Sequence, residues 1–218
     1  MTMTSAEGRH QRSDGVRTRA SILAAAAALA TTVGLDRLSI GGLADHIGIS
    51  KSGLFAHFRS KEALQLATIE AAWQIFDADV VDPALRAPAG RQRALAFVDA
   101  YLDHLRRGVF PGGCFFASTS AEFHLRSGPV SARLAEFQWY WLGLIRASLE
   151  TAKRAGELGP DEDLDQLGFE IESHSLHAHL SYPVRRDARV LDLAHQAVRD
   201  RLGMPRPTEP TPATPGEG

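Results

Sequence analysis

The segment from Ser39 to Phe58 constrains the fold more than any other part of the chain, because two short helical patterns flank one glycine there. Residues 40–47 and 51–58 predict the two helices, with Ser39 and Ser50 as their N-caps. Gly48-Ile49-Ser50 predicts a tight turn that joins them at a steep angle. The apolar positions expected to form a shared small core are Leu43, Ala44, Ile47, Ile49, Leu54 and Phe58.

The rest of the chain also predicts helices and no strands, because it contains neither a long alternating run nor a hairpin signal. Gly34 ends the first helix, and Asp82-Pro83 and Tyr182-Pro183 are expected to end two later ones. The sequence therefore predicts an all-α protein. Beside the two short helices, the expected helices are about 16–33, 61–80 (capped by Ser60), 90–107, 115–126, 129–155, 163–181 and 187–202.

Four segments follow from this pattern. Residues 1–14 are polar and predict a flexible arm, and residues 15–60 predict a three-helix helix-turn-helix domain. Residues 61–203 predict a second, larger helical domain. Residues 204–218 contain five of the eleven prolines and predict a disordered tail.

Composition limits the class of protein and its surroundings. Cys114 is the only cysteine, so the chain cannot form an internal disulfide, in agreement with a reducing compartment. No apolar run is long enough to span a bilayer, and the N-terminus lacks a signal-peptide pattern, so we expect a cytoplasmic protein without membrane contact.

Charge is distributed unevenly along the chain. Residues 1–61 contain eight basic and four acidic residues, whereas the remainder contains 16 basic and 22 acidic residues. This asymmetry indicates an anionic partner for the basic segment, although surface charge often serves only solvation.

The outward face of the second short helix is unusual for a solvated helix. Gly53 costs about 1 kcal/mol relative to alanine in a helix interior, and Phe55 would be an exposed aromatic residue. Insertion of this helix into the major groove of DNA explains both, with Lys51 and Ser52 close to base edges or phosphates. Lys61 follows Ser60 at a helix N-terminus, which is a favourable phosphate site.

The stretch GISKSGLFAHFRSKEAL, within residues 18–67, resembles the DNA-binding module of the TetR-type repressor family. The resemblance implies a homodimer that binds double-stranded, pseudo-palindromic operator DNA and is released by a small molecule. The family usually has tyrosine where this chain has Phe55, so a hydrogen bond from a phenol to phosphate is missing here. The implied base contacts come from Lys51, Ser52 and Gly53, and the implied DNA-backbone contacts from Phe55, His57 and Lys61, with Ser39 capping the helix that crosses the phosphates.

The resemblance also assigns roles to the remaining helices. The last two helices would pair across the dimer, with internal packing as the alternative, and the middle helices would enclose an effector. From their aromatic residues, which include Phe97, Phe116 and Trp141, and from nearby polar groups, we predict a pocket for an apolar or aromatic molecule. The predicted pocket residues are Tyr101, Cys114, Phe115, Glu122, Phe123, Trp139, Tyr140 and His174. The candidate dimer contacts are Leu164, Leu167, Ile171, Leu180, Val190, Leu193, Ala194 and Ala197.

Other functions remain as alternatives. Cys114 opens a predicted helix, where a thiol can be reactive, so a small-molecule or redox sensor without specific DNA binding is one of them. Glu170, His174 and His177 share a helix face at metal-ligand spacing, but the set is incomplete and we predict no metal. A metal-dependent enzyme is the least favoured alternative. We predict no enzyme activity and no cofactor, because no nucleophile motif, phosphate loop or dinucleotide fingerprint occurs. The effector, the operator and the sign of regulation do not follow from the sequence.

Overall fold

The computed structural model describes the backbone of residues 4–205 and the side chains of residues 18–205. The side chains of the predicted arm, residues 1–14, and residues 206–218 of the predicted tail lie outside the described part of the chain. The described part of the chain is all-helical, which confirms the predicted fold class. The helices are α1 (Thr4–Val33), α2 (Ile40–Ile47), α3 (Lys51–His57), α4 (Lys61–Phe76), α5 (Asp82–Leu85), α6 (Arg91–Arg107), α7 (Phe115–Phe123), α8 (Pro129–Arg154), α9 (Leu164–Arg185) and α10 (Arg189–Arg201).

Helices α1 to α3 form the small N-terminal unit. Leu43, Ala44, Leu54 and Phe58 are buried in its core, as the sequence predicts, and Ile47 is partly buried. Ile49 is 38% exposed, because it follows Gly48, whose left-handed backbone turns the chain away from α2. The guanidinium of Arg19 on α1 donates to the carbonyl oxygen of His57 at 3.2 Å and lies over the Phe58 ring. This contact holds the end of α3 against α1.

Two prolines do not end their helices, contrary to the sequence prediction. Helix α4 continues into a π-helical turn, Asp77–Val81, and then into α5, in which Asp82 is helical and Pro83 lies in the first turn. Pro83, which has no N–H to donate, directly follows this π-helical turn, in which the hydrogen bonding departs from the regular α-helical pattern. Pro183 lies inside α9, which extends to Arg185 and ends at Arg186 in the left-handed conformation. The first helix also begins earlier than predicted, at Thr4.

Helices α4 to α10 form the larger C-terminal body, whose core contains fully buried Phe97, Ile145 and Leu149. Helix α4 packs against α1 on one side and against α8 on the other, so it belongs to both units. Within residues 4–205, no helix combines the length and apolar character that crossing a bilayer requires. The geometry therefore places a small helical unit at one end of α4 and a helical body around its other end.

The candidate dimer contacts divide into three groups by burial. Leu167, Ile171, Val190 and Ala194 are buried within the chain, because α9 and α10 pack these positions against each other and against α6. Their assignment to a dimer contact is therefore corrected to internal packing. Leu164 and Ala197 are partly buried, whereas Leu180 and Leu193 are 56% and 65% exposed.

Candidate DNA interface and ligand cavity

Three serine side chains fix the starts of the helices around the candidate DNA interface. The hydroxyl oxygens of Ser39, Ser50 and Ser60 accept from the backbone N–H three residues later, at 3.0, 3.1 and 3.0 Å. Such caps satisfy donors that a helix start otherwise leaves unpaired. The cap of Ser60 is made with Ala63, so the same cap at Ser50 does not require glycine at position 53.

The outward face of α3 presents the residues that the sequence analysis assigns to DNA. Phe55 is 54% exposed, and Ser52, Gly53 and His57 are exposed beside it. The Lys51 ammonium lies 3.4 Å from the Asp45 carboxylate, but both side chains remain well exposed. An exposed ion pair of this kind contributes little to stability, so Lys51 can exchange its partner at low cost.

Lys61 lies in a different electrostatic setting at the start of α4. Its ammonium is 3.6 Å from Asp36, a carboxylate that also pairs with Arg126 at 2.6 Å. The hydrogen bond from Arg126 and the nearby charge of Lys61 hold the pKa of Asp36 below its usual range. Lys61 is half-exposed and can share its charge with a phosphate without leaving Asp36. Ser39 is at the start of α2, as predicted.

The loop between α1 and α2 is held by two helices of the body. The carboxylate of Glu122 on α7 accepts from the backbone N–H groups of Leu35 and Asp36, at 2.8 and 2.9 Å. The side-chain amide of Gln65 on α4 donates to the Leu35 carbonyl oxygen at 2.8 Å. Gly34 has φ +93°, and a Cβ there would lie 2.7 Å from a Glu122 carboxylate oxygen, so glycine permits this close approach.

A cavity of about 340 Å³ lies between α4, α6, α7, α8 and α9. Its walls are mainly aromatic: the Phe116 and Phe137 rings stack, and the rings of Phe76 and Trp141 meet edge to face at 5.3 Å. The volume is at the lower end of the range for small-molecule sites. The lining residues are Phe76, Tyr101, Cys114, Phe116, Ala117, Ser120, Ala121, Phe137, Gln138, Trp141, Glu172, Ser175, Leu176 and Leu180.

Of the predicted pocket residues, Tyr101 and Cys114 line this cavity, whereas the other six lie elsewhere. Phe115 is buried in the core behind the cavity wall, and Phe123 lies under the Arg126 guanidinium. Glu122 holds the loop after α1 instead. Tyr140 donates to Asp77 at 2.9 Å, and Trp139 and His174 are exposed.

Helical phase explains why Trp139 and Tyr140 of α8 do not line the cavity. The buried positions of α8 are Val130, Leu134, Phe137, Trp141 and Ile145, which recur at helical spacing. Positions 139 and 140 fall outside that stripe. The helical phase of α8 could therefore have identified Phe137 as a lining residue. Trp139 and Tyr140 were instead predicted from their aromatic character. Phe76, Gln138 and Glu172 were not predicted at all.

The structure gives Cys114 a buried environment. Burial raises the pKa of its thiol. A reactive thiolate requires the opposite shift, which does not favour a role as a redox sensor.

Two side chains of the set formed by Glu170, His174 and His177 have other partners. Glu170 bonds to Arg201 and to Gln166, and His177 pairs with Ser181. Among the residues that the structure describes, no three histidine, cysteine or carboxylate side chains are grouped as a metal site.

Buried His179 makes stability depend on pH. Its Nδ1 accepts from the Cys114 N–H at 3.3 Å, so this hydrogen bond requires the neutral ring. Burial, with a smaller effect of His104, lowers the pKa of His179 below the ordinary 6.5. The unfolded chain therefore binds more protons than the folded chain as the pH falls through 6.5, and the free energy of unfolding decreases there.

We expect acidification from pH 7.5 to 5.5 to destabilise the native protein more than the His179→Gln variant. The difference is limited to about 1.4 kcal/mol per pH unit for one proton. Urea unfolding at three pH values measures it, and exposed His124→Gln serves as the control. Parallel pH profiles for the native protein and His179→Gln would contradict the prediction.

Comparison with known proteins agrees with this architecture. A family model described as "Bacterial regulatory proteins, tetR family" matches residues 22–68, and one described as "Tetracyclin repressor-like, C-terminal domain" matches residues 90–198. The HTH-type transcriptional regulator EthR of Mycolicibacterium smegmatis is 30% identical over 167 residues, which cover 73% of this chain and 71% of EthR.

Solved structures show the same fold. A TetR transcriptional regulator from Chloroflexus aurantiacus J-10-FL superposes with a TM-score of 0.80 at 25% identity, over 87% of this chain and 96% of that one. A cysteine mutant of the TetR family transcriptional regulator CifR, complexed with 26-bp double-strand operator DNA, superposes with a TM-score of 0.70 at 20% identity. The match covers 83% of this chain and 95% of that one. The matched segments include both the helix-turn-helix unit and the helical body. The chain therefore belongs to the TetR family of bacterial transcriptional regulators.

Proposed function

We propose that this regulator is a repressor that binds pseudo-palindromic operator DNA as a homodimer and is released by a small molecule. The observation that carries the proposal is the outward face of α3, where an exposed aromatic ring lies beside a lysine and a glycine that the local caps do not require. In this proposal Lys51, Ser52 and Gly53 contact base edges, and Phe55 contacts a sugar or a thymine methyl. His57 and Lys61 would contact phosphates.

A second copy of the chain would cover the exposed apolar residues of α9 and α10. Phe169, Leu180, Val184 and Leu193 are each more than half exposed, and Leu176 is 43% exposed. A cluster of this kind marks an interaction surface on a protein that is otherwise well packed. A two-fold dimer also supplies two recognition helices, which recognise more bases than one helix can.

Release would depend on helices shared by the cavity and the DNA-binding unit. Helix α4 lines the cavity with Phe76 and begins at Lys61, beside the candidate DNA interface. Helix α7 lines it with Phe116 and holds the loop before α2 through Glu122. A ligand that shifts either helix would change the separation of the two recognition helices. To convert nearly all of the protein from the DNA-bound to the DNA-free state, the ligand must bind the DNA-free state more tightly by about 5.5 kcal/mol.

Two cellular properties complete the proposal. A dimer bound at an operator can repress by blocking polymerase. A regulator of bacterial genes must also reach the chromosome, which places this protein in the cytoplasm.

Selection of bound duplexes from a random pool, at fixed salt, tests DNA recognition. We expect the native protein to enrich a pseudo-palindrome. Lys51→Ala and Phe55→Ala should each weaken binding by about 1–3 kcal/mol per protomer, in the range of a good base contact. If Lys51 instead contacts a phosphate, its variant will bind all sequences more weakly and show a smaller salt dependence.

The chain offers matched controls for both variants. Lys153→Ala removes the same charge from α8, and Leu125→Ala removes an exposed apolar side chain from the loop before α8. Both should enrich the same operator as the native protein. An absence of enrichment by the native protein at low and moderate salt would reject sequence-specific DNA binding.

A further inference from the structure

One carboxylate among the aromatic walls of the cavity has no partner. Glu172 on α9 lines the cavity, and among residues 18–205 no hydrogen bond or ion pair reaches its side chain. Other partly buried carboxylates of the body are paired: each accepts a hydrogen bond from a backbone N–H, an arginine, a histidine or a tyrosine. These are Asp77, Asp79, Glu122, Glu157 and Glu162.

The carboxylate of Glu172 is partly buried and has no donor beside it within the described residues. Burial raises the pKa of Glu172, because its charged form loses hydration without gaining a donor. Burial raises the pKa of the Tyr101 hydroxyl, and the charge of Glu172 adds to that shift, so the two groups lie near each other at the cavity. An ionisable group with a shifted pKa in a cavity is a candidate for binding a ligand.

The remaining walls narrow the chemistry of that ligand. The faces of aromatic rings attract cations, and Trp141 is the strongest such group among the lining residues. Gln138 and Ser175 add neutral polar groups, and no lysine or arginine lines the cavity among the described residues. The cavity therefore combines one negative charge with aromatic surfaces and offers no positive side chain to an anion.

We infer that the effector is a protonated amine on a compact apolar or aromatic body, with its ammonium group bound by Glu172. This inference rests on the proposed function, because it takes the cavity as the effector site. The ammonium would donate to the carboxylate while the apolar body packs against the stacked rings of Phe116 and Phe137 and against Trp141. A neutral molecule of the same shape would leave the carboxylate unpaired, and an anion would be repelled.

Three probes with one apolar body test this inference: 4-phenylbutylamine, 4-phenylbutan-1-ol and 4-phenylbutanoate. Their affinities for the full chain are measured by calorimetry without DNA. We expect the amine to bind at least tenfold more tightly than the alcohol, and the carboxylate to bind most weakly. Glu172→Gln should remove the preference for the amine, whereas Glu150→Gln, which removes a surface carboxylate from α8, should keep it.

Thermal unfolding of the unliganded variants gives a second, independent result. Glu172→Gln should unfold at the same temperature as the native protein or at a higher one, because it removes an unpaired carboxylate. Equal affinities for the amine and the alcohol, or an amine preference that survives in Glu172→Gln, would overturn the inference. So would a loss of the dimer in Glu172→Gln with amine affinity unchanged, since the carboxylate would then bind the second copy.

These outcomes are separate from those that test the proposed function. If the amine binds through Glu172 but does not release operator DNA, the ligand class stands and the release mechanism fails. If the protein enriches an operator but shows no amine preference, the regulator stands and the ligand class is rejected.

Discussion

Gly112→Ala is expected to lower the free energy of unfolding by about 3 kcal/mol, the upper part of the range for overpacking a filled site. A methyl group there would lie within 2.8 Å of the Thr31 Cβ and closer still to the Thr31 carbonyl group. The obstacle is the backbone of α1, which cannot rotate away as a side chain can. The Gly112 N–H also donates to the Thr31 hydroxyl at 3.1 Å, and this hydrogen bond would be strained as the loop moves.

The effect of Gly112→Ala is therefore concentrated at the contact between α1 and the loop before α7, where the DNA-binding unit meets the body. Urea or thermal unfolding measures the loss. Gly143→Ala is the matched control, because Gly143 lies exposed in α8 with open space around its Cβ position. It should stabilise the protein by about 0.5–1 kcal/mol. Equal stabilities of the two variants would show that the loop can leave α1 at no cost.

Local features of the sequence predicted local features of the structure. Ser39, Ser50 and Ser60 cap their helices as expected, because a cap depends only on a serine and the three residues after it. The positions of α2 and α3 follow from the same local signals. The outward placement of Phe55 could also be predicted, since it follows from the helical phase of a seven-residue helix.

Predictions that depend on surroundings were less accurate. Pro83 and Pro183 were expected to end helices, but the chain stays helical past both of them, at Pro83 directly after a π-helical turn. Glu122 was expected in the ligand cavity, and its real partners are 87 and 86 residues away along the chain. The sequence around Glu172 could not predict its place in the cavity, because the absence of a hydrogen-bond partner within the described structure depends on residues that are distant along the chain.

Glu122→Ala is expected to reduce operator affinity at least tenfold, although Glu122 lies on α7 and not on the recognition helix. Its carboxylate accepts from the backbone N–H groups of Leu35 and Asp36, and truncation leaves both donors without it. Hydrogen bonds to a charged group contribute about 1.5–3 kcal/mol, so the variant should also unfold more easily. In the proposed dimer, a released loop would let the two recognition helices sample more separations, and the apparent affinity for DNA would fall with the fraction of dimers whose helix separation fits the operator.

Glu157 provides a close structural match that separates the loss of stability from the loss of DNA binding. Its carboxylate accepts from the Arg91 N–H at 2.8 Å, beside Gly90 with φ +98°, as Glu122 accepts beside Gly34. This contact joins two parts of the body and does not touch the DNA-binding unit. Glu157→Ala should therefore lose similar stability while keeping native operator affinity at a temperature where both variants are folded. Distances between spin labels on the two copies of α3 should broaden only in Glu122→Ala. If both variants bind the operator equally well, Glu122 contributes to stability alone, and any coupling between the cavity and the DNA must pass through α4.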